Sequence, residues 1–298
     1  MKIALTGVTG LLGEFCALAL DKMGAQVTGF SRSAPTFYGE RIEWQQGELD
    51  CQDFSQLLEG KQALVHAAFA HQAGRYRGGE GKDCVKFWQD NAIATLRLLE
   101  QAKAAGVSRV ILFSSRAVYA NRMKGLLNES VPPCPDTHYG AQKALFETWA
   151  QIYSDSQFHV TCLRPTGVYG TRQVAEQSKW AEIVRAAQKG QPPESNRLAT
   201  EVYAGDVAQA VQLLLHSDAE AVSGRTFNLS DIELSRYQLY DLIREQLGLA
   251  HYFSNHNQQA ELLGPKLDCS AIKGLSWKAG GTAALRADLA LLCKKLAF

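Results

Sequence analysis

Two hydrophobic patterns alternate along the chain. Short apolar or alternating runs of strand length occur at 3–5, 26–30, 42–46, 63–68 and 110–113. Between them, apolar residues recur at helical spacing over 14–23 and 83–105, and again in the helix that Asp136 opens after Pro132, Pro133 and Pro135. Strands alternating with helices predict an α/β chain on a parallel sheet, and the wholly apolar run 110–113 reads as a strand buried on both faces. Further on, 178–190, 235–247 and 282–296 read as helices, 191–196 as a loop, and 202–216 as a return to the core. No internal repeat or low-complexity segment interrupts the pattern.

The first strand runs into Thr6-Gly7-Val8-Thr9-Gly10-Leu11-Leu12-Gly13 and then a helix. Strand, glycine turn and helix together form a receptor for a pyrophosphate. Gly7 makes the tight turn, Gly10 admits the phosphates to the backbone, and Gly13 lets helix and strand approach. The backbone of Thr9, Leu11 and Leu12 fills the rest of the turn, and the helix N-terminus offers N–H groups to the anion. The second strand ends in Ser31-Arg32-Ser33 instead of the acidic residue that binds both ribose hydroxyls of NAD. An arginine and hydroxyls suit a 2′-phosphate, so NADP is the expected cofactor, with NAD the alternative. Glu48 and Leu49 follow the third strand at the height of the adenine. Ala67 and Ala68 end the fourth strand and leave room for ribose and pyrophosphate. The glycine-rich loop 72–81 carries Arg75 and Arg77. Beyond a central strand it either clamps an anionic substrate, as a mobile cover on the cleft, or lies as a solvated flap. Tyr139 and Lys143 are one helical turn apart and share a face, where an ammonium favours the phenolate.

Composition narrows the classes. A chain of 298 residues with 46% hydrophobic and 20% charged content holds one large domain, or a large and a small one. A formal net charge of +1 speaks against a dedicated nucleic-acid binder. No apolar run has the length of a membrane span, and Met1-Lys2 leads straight into a strand, so neither a membrane anchor nor a leader is expected. The seven cysteines are scattered and never spaced as Cys-x-x-Cys, as for reduced thiols in the cytoplasm. The histidines show no metal-ligand spacing, and His66 reads as a cleft-lining or packing residue.

With those segments in place the chain resembles the extended short-chain dehydrogenases/reductases, the NAD(P)-dependent epimerase/dehydratase group. The resemblance rests on the glycine turn, His66-Ala67-Ala68, Asn91, Ser114-Ser115-Arg116-Ala117-Val118-Tyr119, Tyr139-Gly140-Ala141-Gln142-Lys143, Leu163-Arg164-Pro165-Thr166-Gly167-Val168-Tyr169-Gly170, Gly205-Asp206-Val207-Ala208 and Thr226-Phe227-Asn228-Leu229. It implies a Rossmann-type doubly wound sheet over 1–165, with 202–230 returning to it, and a smaller substrate-binding lobe from 166–201 and 231–298. It also implies that Tyr139 is the acid/base, that Lys143 tunes it and holds the nicotinamide ribose, and that Ser115 hydrogen-bonds the reacting oxygen. Arg75, Arg77, Arg116 and Arg172 are the candidate substrate contacts, and no metal is expected.

The implied activity is hydride transfer at a hydroxyl or keto group of a polar small molecule, a sugar or sugar nucleotide among the candidates, by an oxidoreductase or epimerase. A non-catalytic NADP-sensing regulator of the same fold is the competing class. Helices 83–105 and 136–154 occupy the places where family members form a homodimer through four helices. Three positions depart from the pattern. Arg116 and Ala117 stand where dehydratases have Asp-Glu, so dehydration lacks its acid and base. Ala199 stands where epimerases carry an arginine, with Arg197 nearby in what reads as a different register. Residues 260–268 lack the other phosphate-binding arginine.

Overall fold

In the computed structural model, residues 1–72, 79–253, 260–262 and 264–297 are described. Seven strands form one sheet in the spatial order Ile42–Gln46, Gln26–Ser31, Lys2–Thr6, Ala63–His66, Arg109–Phe113, His159–Pro165, Thr226–Leu229. Every neighbouring pair is parallel. Successive residues of a strand face opposite sides, and the two faces carry separate cores. Ile3, Leu5, Ala63, Val65, Ile111 and Phe113 belong to one, under helices Leu11–Lys22 and Ala204–His216. Ala4, Leu64, Val110 and Leu112 belong to the other, under Ala94–Ala104 and His138–Tyr153. The expected doubly wound parallel sheet is therefore present. Its strand order reverses between Lys2–Thr6 and Ala63–His66, the switch point at which ligands bind beyond the strand ends.

A second sheet is built around Arg197–Tyr203, which pairs antiparallel with Ile232–Ser235 and parallel with Gly167–Tyr169 and Glu261–Leu262. Helices Ala181–Gln188, Arg236–Gln246 and Gly281–Lys295 share a third core with it, built on Tyr169, Trp180, Leu239 and Tyr240. Tyr169 and Trp180 stack with centroids 4.7 Å apart.

Some boundaries differ from the sequence pattern. The stretch expected as one helix over 83–105 is Cys84–Trp88, a wide turn Gln89–Ile93, then Ala94–Ala104. The widening lies at Asn91, whose amide bonds the Ala70 backbone at both N–H (2.6 Å) and carbonyl (2.8 Å) and also reaches Phe87 O. The segment expected to return to the core from 202 follows the lobe strand Arg197–Tyr203: Val202 of that strand is already buried in the main core, and helix Ala204–His216 packs on the main sheet. A two-stranded pair, Leu126–Leu127 with Lys266–Leu267, has no clear period in the sequence.

One buried ion pair ties the layers together. Arg164, at the end of its strand, donates from Nε (2.9 Å) and Nη2 (2.7 Å) to the carboxylate of Glu147 on helix His138–Tyr153. Its Nη1 reaches Tyr119 Oη (2.6 Å) and Asn228 Oδ1 (3.2 Å). Arg164 is 1% exposed and Glu147 5%. Removing one partner strands the other charge without solvent. Arg164→Met is therefore expected to lower unfolding stability by about 3–5 kcal/mol, while Arg164→Met with Glu147→Leu recovers most of the loss. Urea denaturation checks this, and a double variant no more stable than the single one contradicts it.

Candidate active site

The glycine turn is set by close backbone packing. Gly7 has φ 72°, a left-handed conformation that glycine adopts at little cost. A Cβ on Gly7 would lie 2.6 Å from Ala68 N, and one on Gly13 would lie 2.0 Å from Gly7 O. The turn thus packs against both its own helix and the segment after the fourth strand. At Gly10 a Cβ would meet only Gly7 O, at 3.3 Å. Gly10 also begins helix Leu11–Lys22 with no side-chain cap. An uncapped N-terminus beside an open glycine fits a pyrophosphate.

Ala67 N bonds Thr6 O (3.2 Å), and Ala68 N bonds Thr6 Oγ1 (3.3 Å). Beneath them His66 is buried, with Nδ1 2.7 Å from Thr6 Oγ1 and Nε2 2.9 Å from Thr95 Oγ1. Burial, and then the charge of Lys143, push its pKa down to about 3. It is a packing residue with both nitrogens occupied.

Helix His138–Tyr153 is capped by the Thr137 hydroxyl on Gly140 N (3.0 Å) and presents Tyr139 and Lys143, both buried. Lys143 Nζ lies 5.7 Å from the centre of the Tyr139 ring and donates to Phe113 O at 2.8 Å. The Ser115 turn packs on the same helix, since a Cβ on Gly140 would fall 2.1 Å from Ala117 O. Ser115 Oγ accepts from Ala117 N (3.1 Å). Its neighbour Ser114 is buried and donates to Glu147. The structure therefore brings Ser115, Tyr139 and Lys143 to one place beyond the sheet's carboxyl edge. Burial works on the lysine itself and pushes its pKa down to about 7.

The remaining expected residues fall in several places. Ser31 is buried, donates to Ser33 O (2.7 Å) and accepts from Trp44 Nε1 (3.1 Å), while Arg32 is exposed at the strand end. Glu48 is exposed and Leu49 half-buried just past the edge strand. Arg116 Nη1 reaches Thr200 Oγ1 (3.2 Å), which sets it between the Ser115 turn and the lobe. Arg172, expected at the substrate, is committed elsewhere. It bonds Glu14 (3.1 Å), Thr9 O (2.6 Å) and Gln177 (2.7 Å), and so braces the back of the glycine turn. Arg75 and Arg77, with most of the proposed cover loop, lie outside the described residues.

The lobe contains a basic pocket that the sequence pattern does not show. Lys179, Trp180, Arg197, Ala199, Glu201 and Arg236 line it. Arg197 and Ala199 are two apart on one strand and share a face. Arg197 therefore faces the same way as the position of the missing arginine, two residues along the strand from it. Lys179 pairs with Glu201, whose carboxylate would be 2.5 Å from a Cβ on Gly167, just past strand His159–Pro165. Burial and the neighbouring Arg197 charge hold the Arg236 guanidinium below its usual value. Three cations against one carboxylate suit an anionic group. Lys179 and Arg236 come from separate segments, and only the topology brings them together.

A family model described as "NAD dependent epimerase/dehydratase family" matches residues 3–230. The chain is 28% identical over 168 residues to a UDP-glucose 4-epimerase of Neisseria meningitidis serogroup B, covering 52% of this chain and 48% of that one. It is 25% identical over 279 residues to the UDP-glucose 4-epimerase of Corynebacterium glutamicum, covering 83% and 81%. For several of the curated relatives it matches, the chain spans about half their length. A solved structure of MoeE5 in complex with UDP-glucuronic acid and NAD superposes over 100% of both chains with TM-score 0.82 and 22% identity, which shows the shared fold.

The buried lysine has a consequence for stability. Its folded pKa of about 7 lies below the ordinary 10.5, so the unfolded chain holds more protons between those values and stability rises with pH across that window. Lys143→Met is expected to raise the melting temperature most near neutral pH, with the gain shrinking steadily toward about pH 10. Thermal melts of both proteins across the range check it. A difference that stays constant with pH contradicts it.

Proposed function

The chain belongs to the NAD dependent epimerase/dehydratase family, and from that premise we propose that it is an NAD(P)-dependent epimerase or oxidoreductase. Its reaction is hydride transfer at a hydroxyl or keto carbon of an anionic polar substrate of the nucleotide-sugar class. The observation that carries this reading is the convergence of Ser115, Tyr139 and Lys143 beside a glycine turn whose open Gly10 and uncapped helix fit a dinucleotide pyrophosphate. A bound nicotinamide dinucleotide supplies the hydride acceptor and donor. Tyr139 takes the proton from the substrate hydroxyl as its carbon is oxidised and returns one when the carbonyl is reduced. Ser115 hydrogen-bonds the same oxygen, and Lys143 orients the ribose and supports the phenolate.

The relatives named UDP-glucose 4-epimerase and the MoeE5 complex with a UDP-sugar support the substrate class, and the cations Lys179, Arg197 and Arg236 in one pocket support its phosphates binding there. The exposed Arg32, with no acid at the strand end, supports a preference for the 2′-phosphate of NADP, although the MoeE5 complex holds NAD. Exposed Val85 on helix Cys84–Trp88, Ile93 at the end of the wide turn and Ile152 on helix His138–Tyr153 fit a second copy packing there. Among the described residues, no helix is long and apolar enough to cross a membrane. The free cysteines fit the reducing cytoplasm.

Tyr139→Phe is expected to lose turnover of the substrate by about a hundredfold or more while binding dinucleotide as the parent does. A sensor would keep its response, so full turnover in the variant contradicts the catalytic reading. Arg197→Ala with Arg236→Ala is expected to raise KM at least about tenfold with a smaller change in kcat. An unchanged KM for a nucleotide sugar removes the pocket from the substrate's path. Titration with NADP and NAD tests the cofactor: Arg32→Ala should weaken NADP alone, and tighter binding of NAD by the parent ends the NADP argument.

A further inference from the structure

Phe69 follows directly on the two alanines that pack against the glycine turn. Ala67 and Ala68 touch Gly7, and the next ring lies over the ammonium of Lys143, with Nζ 4.1 Å from its centre. The same ring stands edge-on to Tyr139 with centroids 5.2 Å apart. Phe69 therefore occupies the space between the pyrophosphate turn and the catalytic pair. If the dinucleotide lies as proposed above, its nicotinamide ribose must cross that space to reach Lys143. We propose that Phe69 is an aromatic cover on Lys143, displaced when the nicotinamide riboside binds, and that it limits how tightly the cofactor is held.

The physical argument begins with the ammonium. Lys143 gives one N–H to Phe113 O, and among the described residues no carboxylate pairs with it. Its other faces meet the rings of Phe69 at 4.1 Å and Phe146 at 4.8 Å. A desolvated cation held by ring faces is stabilised by the ring quadrupole, and it must give up part of that contact to bond a hydroxyl instead.

The backbone on either side of Phe69 is fixed. Ala68 N bonds Thr6 Oγ1, and Asn91 grips Ala70 at both its N–H and its carbonyl. The ring therefore leaves by rotation about its side-chain torsions, with no hinge in the chain. Phe87 contacts it edge-on at 5.7 Å, and Phe146 at 6.5 Å. It is only partly buried, so an outward rotamer reaches solvent.

A packing residue and a displaceable cover make opposite predictions. Phe69→Leu and Phe69→Ala should both lower the melting temperature, since each removes ring contacts. As a cover, however, their loss should tighten dinucleotide binding roughly three- to tenfold by calorimetric titration. The gain should vanish in a Lys143→Met background, where the ring has no cation to hold. Fluorine resonance of the wild-type chain with 4-fluorophenylalanine at position 69 supplies the second readout. The signal should move on adding NADP or NAD, and should stay in place with adenosine diphosphate, which fills only the adenosine half. A dinucleotide that binds the parent without shifting this resonance, or variants that bind it no tighter, overturns the cover and leaves the proposed function standing. A parent that binds neither dinucleotide overturns both.

Discussion

The arrangement depends on one close approach of backbone to backbone. At the switch point of the sheet, the turn after the first strand lies between its own helix and the end of the fourth strand, with no room for a side chain at Gly7 or Gly13. That packing leaves the helix N-terminus open beyond the sheet and draws Ala67 and Ala68 against the turn. It also sets the distance from that open helix N-terminus to the helix carrying Tyr139 and Lys143. The salt bridge from Arg172 to Glu14, with its bond to Thr9 O, braces the turn from the lobe side. The lobe thus takes part in holding the glycine turn.

The electrostatics of the site follow from burial. Lys143 sits among aromatic rings and one carbonyl, His66 between two threonine hydroxyls, and both have their charged forms disfavoured. Four residues along the helix from Lys143, Glu147 keeps its charge company with Arg164 and receives the Ser114 hydroxyl. One helix therefore carries both Tyr139 and Lys143, proposed as the reacting pair, and the ion pair that joins it to two strands. The fold fixes these side chains through a few buried hydrogen-bond networks, while the lobe pocket is lined by more cations than carboxylates.

Much of the fold was legible in the sequence because it depends on local periodicity. The apolar strand runs alternated with helices, and the glycine turn, Ser115 and the Tyr139–Lys143 spacing could each be read within a short window. What escaped depends on distance along the chain. Arg172 read as a substrate contact because nothing local announces Glu14, and Lys179 and Arg236 join Arg197 only through the topology of the lobe. Phe69 had a signal available, a bulky ring directly after two alanines read as making room for a cofactor. Asn91 stood out only through the resemblance, and nothing local announced the wide turn around it or its pair of bonds to Ala70.

The proposed chemistry passes hydride between a nicotinamide and a substrate carbon at the Tyr139–Lys143 pair. Single-turnover mixing of the chain with oxidised cofactor and nucleotide sugars, followed in the near-ultraviolet band of reduced nicotinamide, tests it most directly. The band should rise with at least one nucleotide sugar and be absent with Tyr139→Phe. A chain that binds both dinucleotide and nucleotide sugar, interconverts or oxidises the sugar, and never shows reduced nicotinamide even in rapid-quench samples would contradict the account.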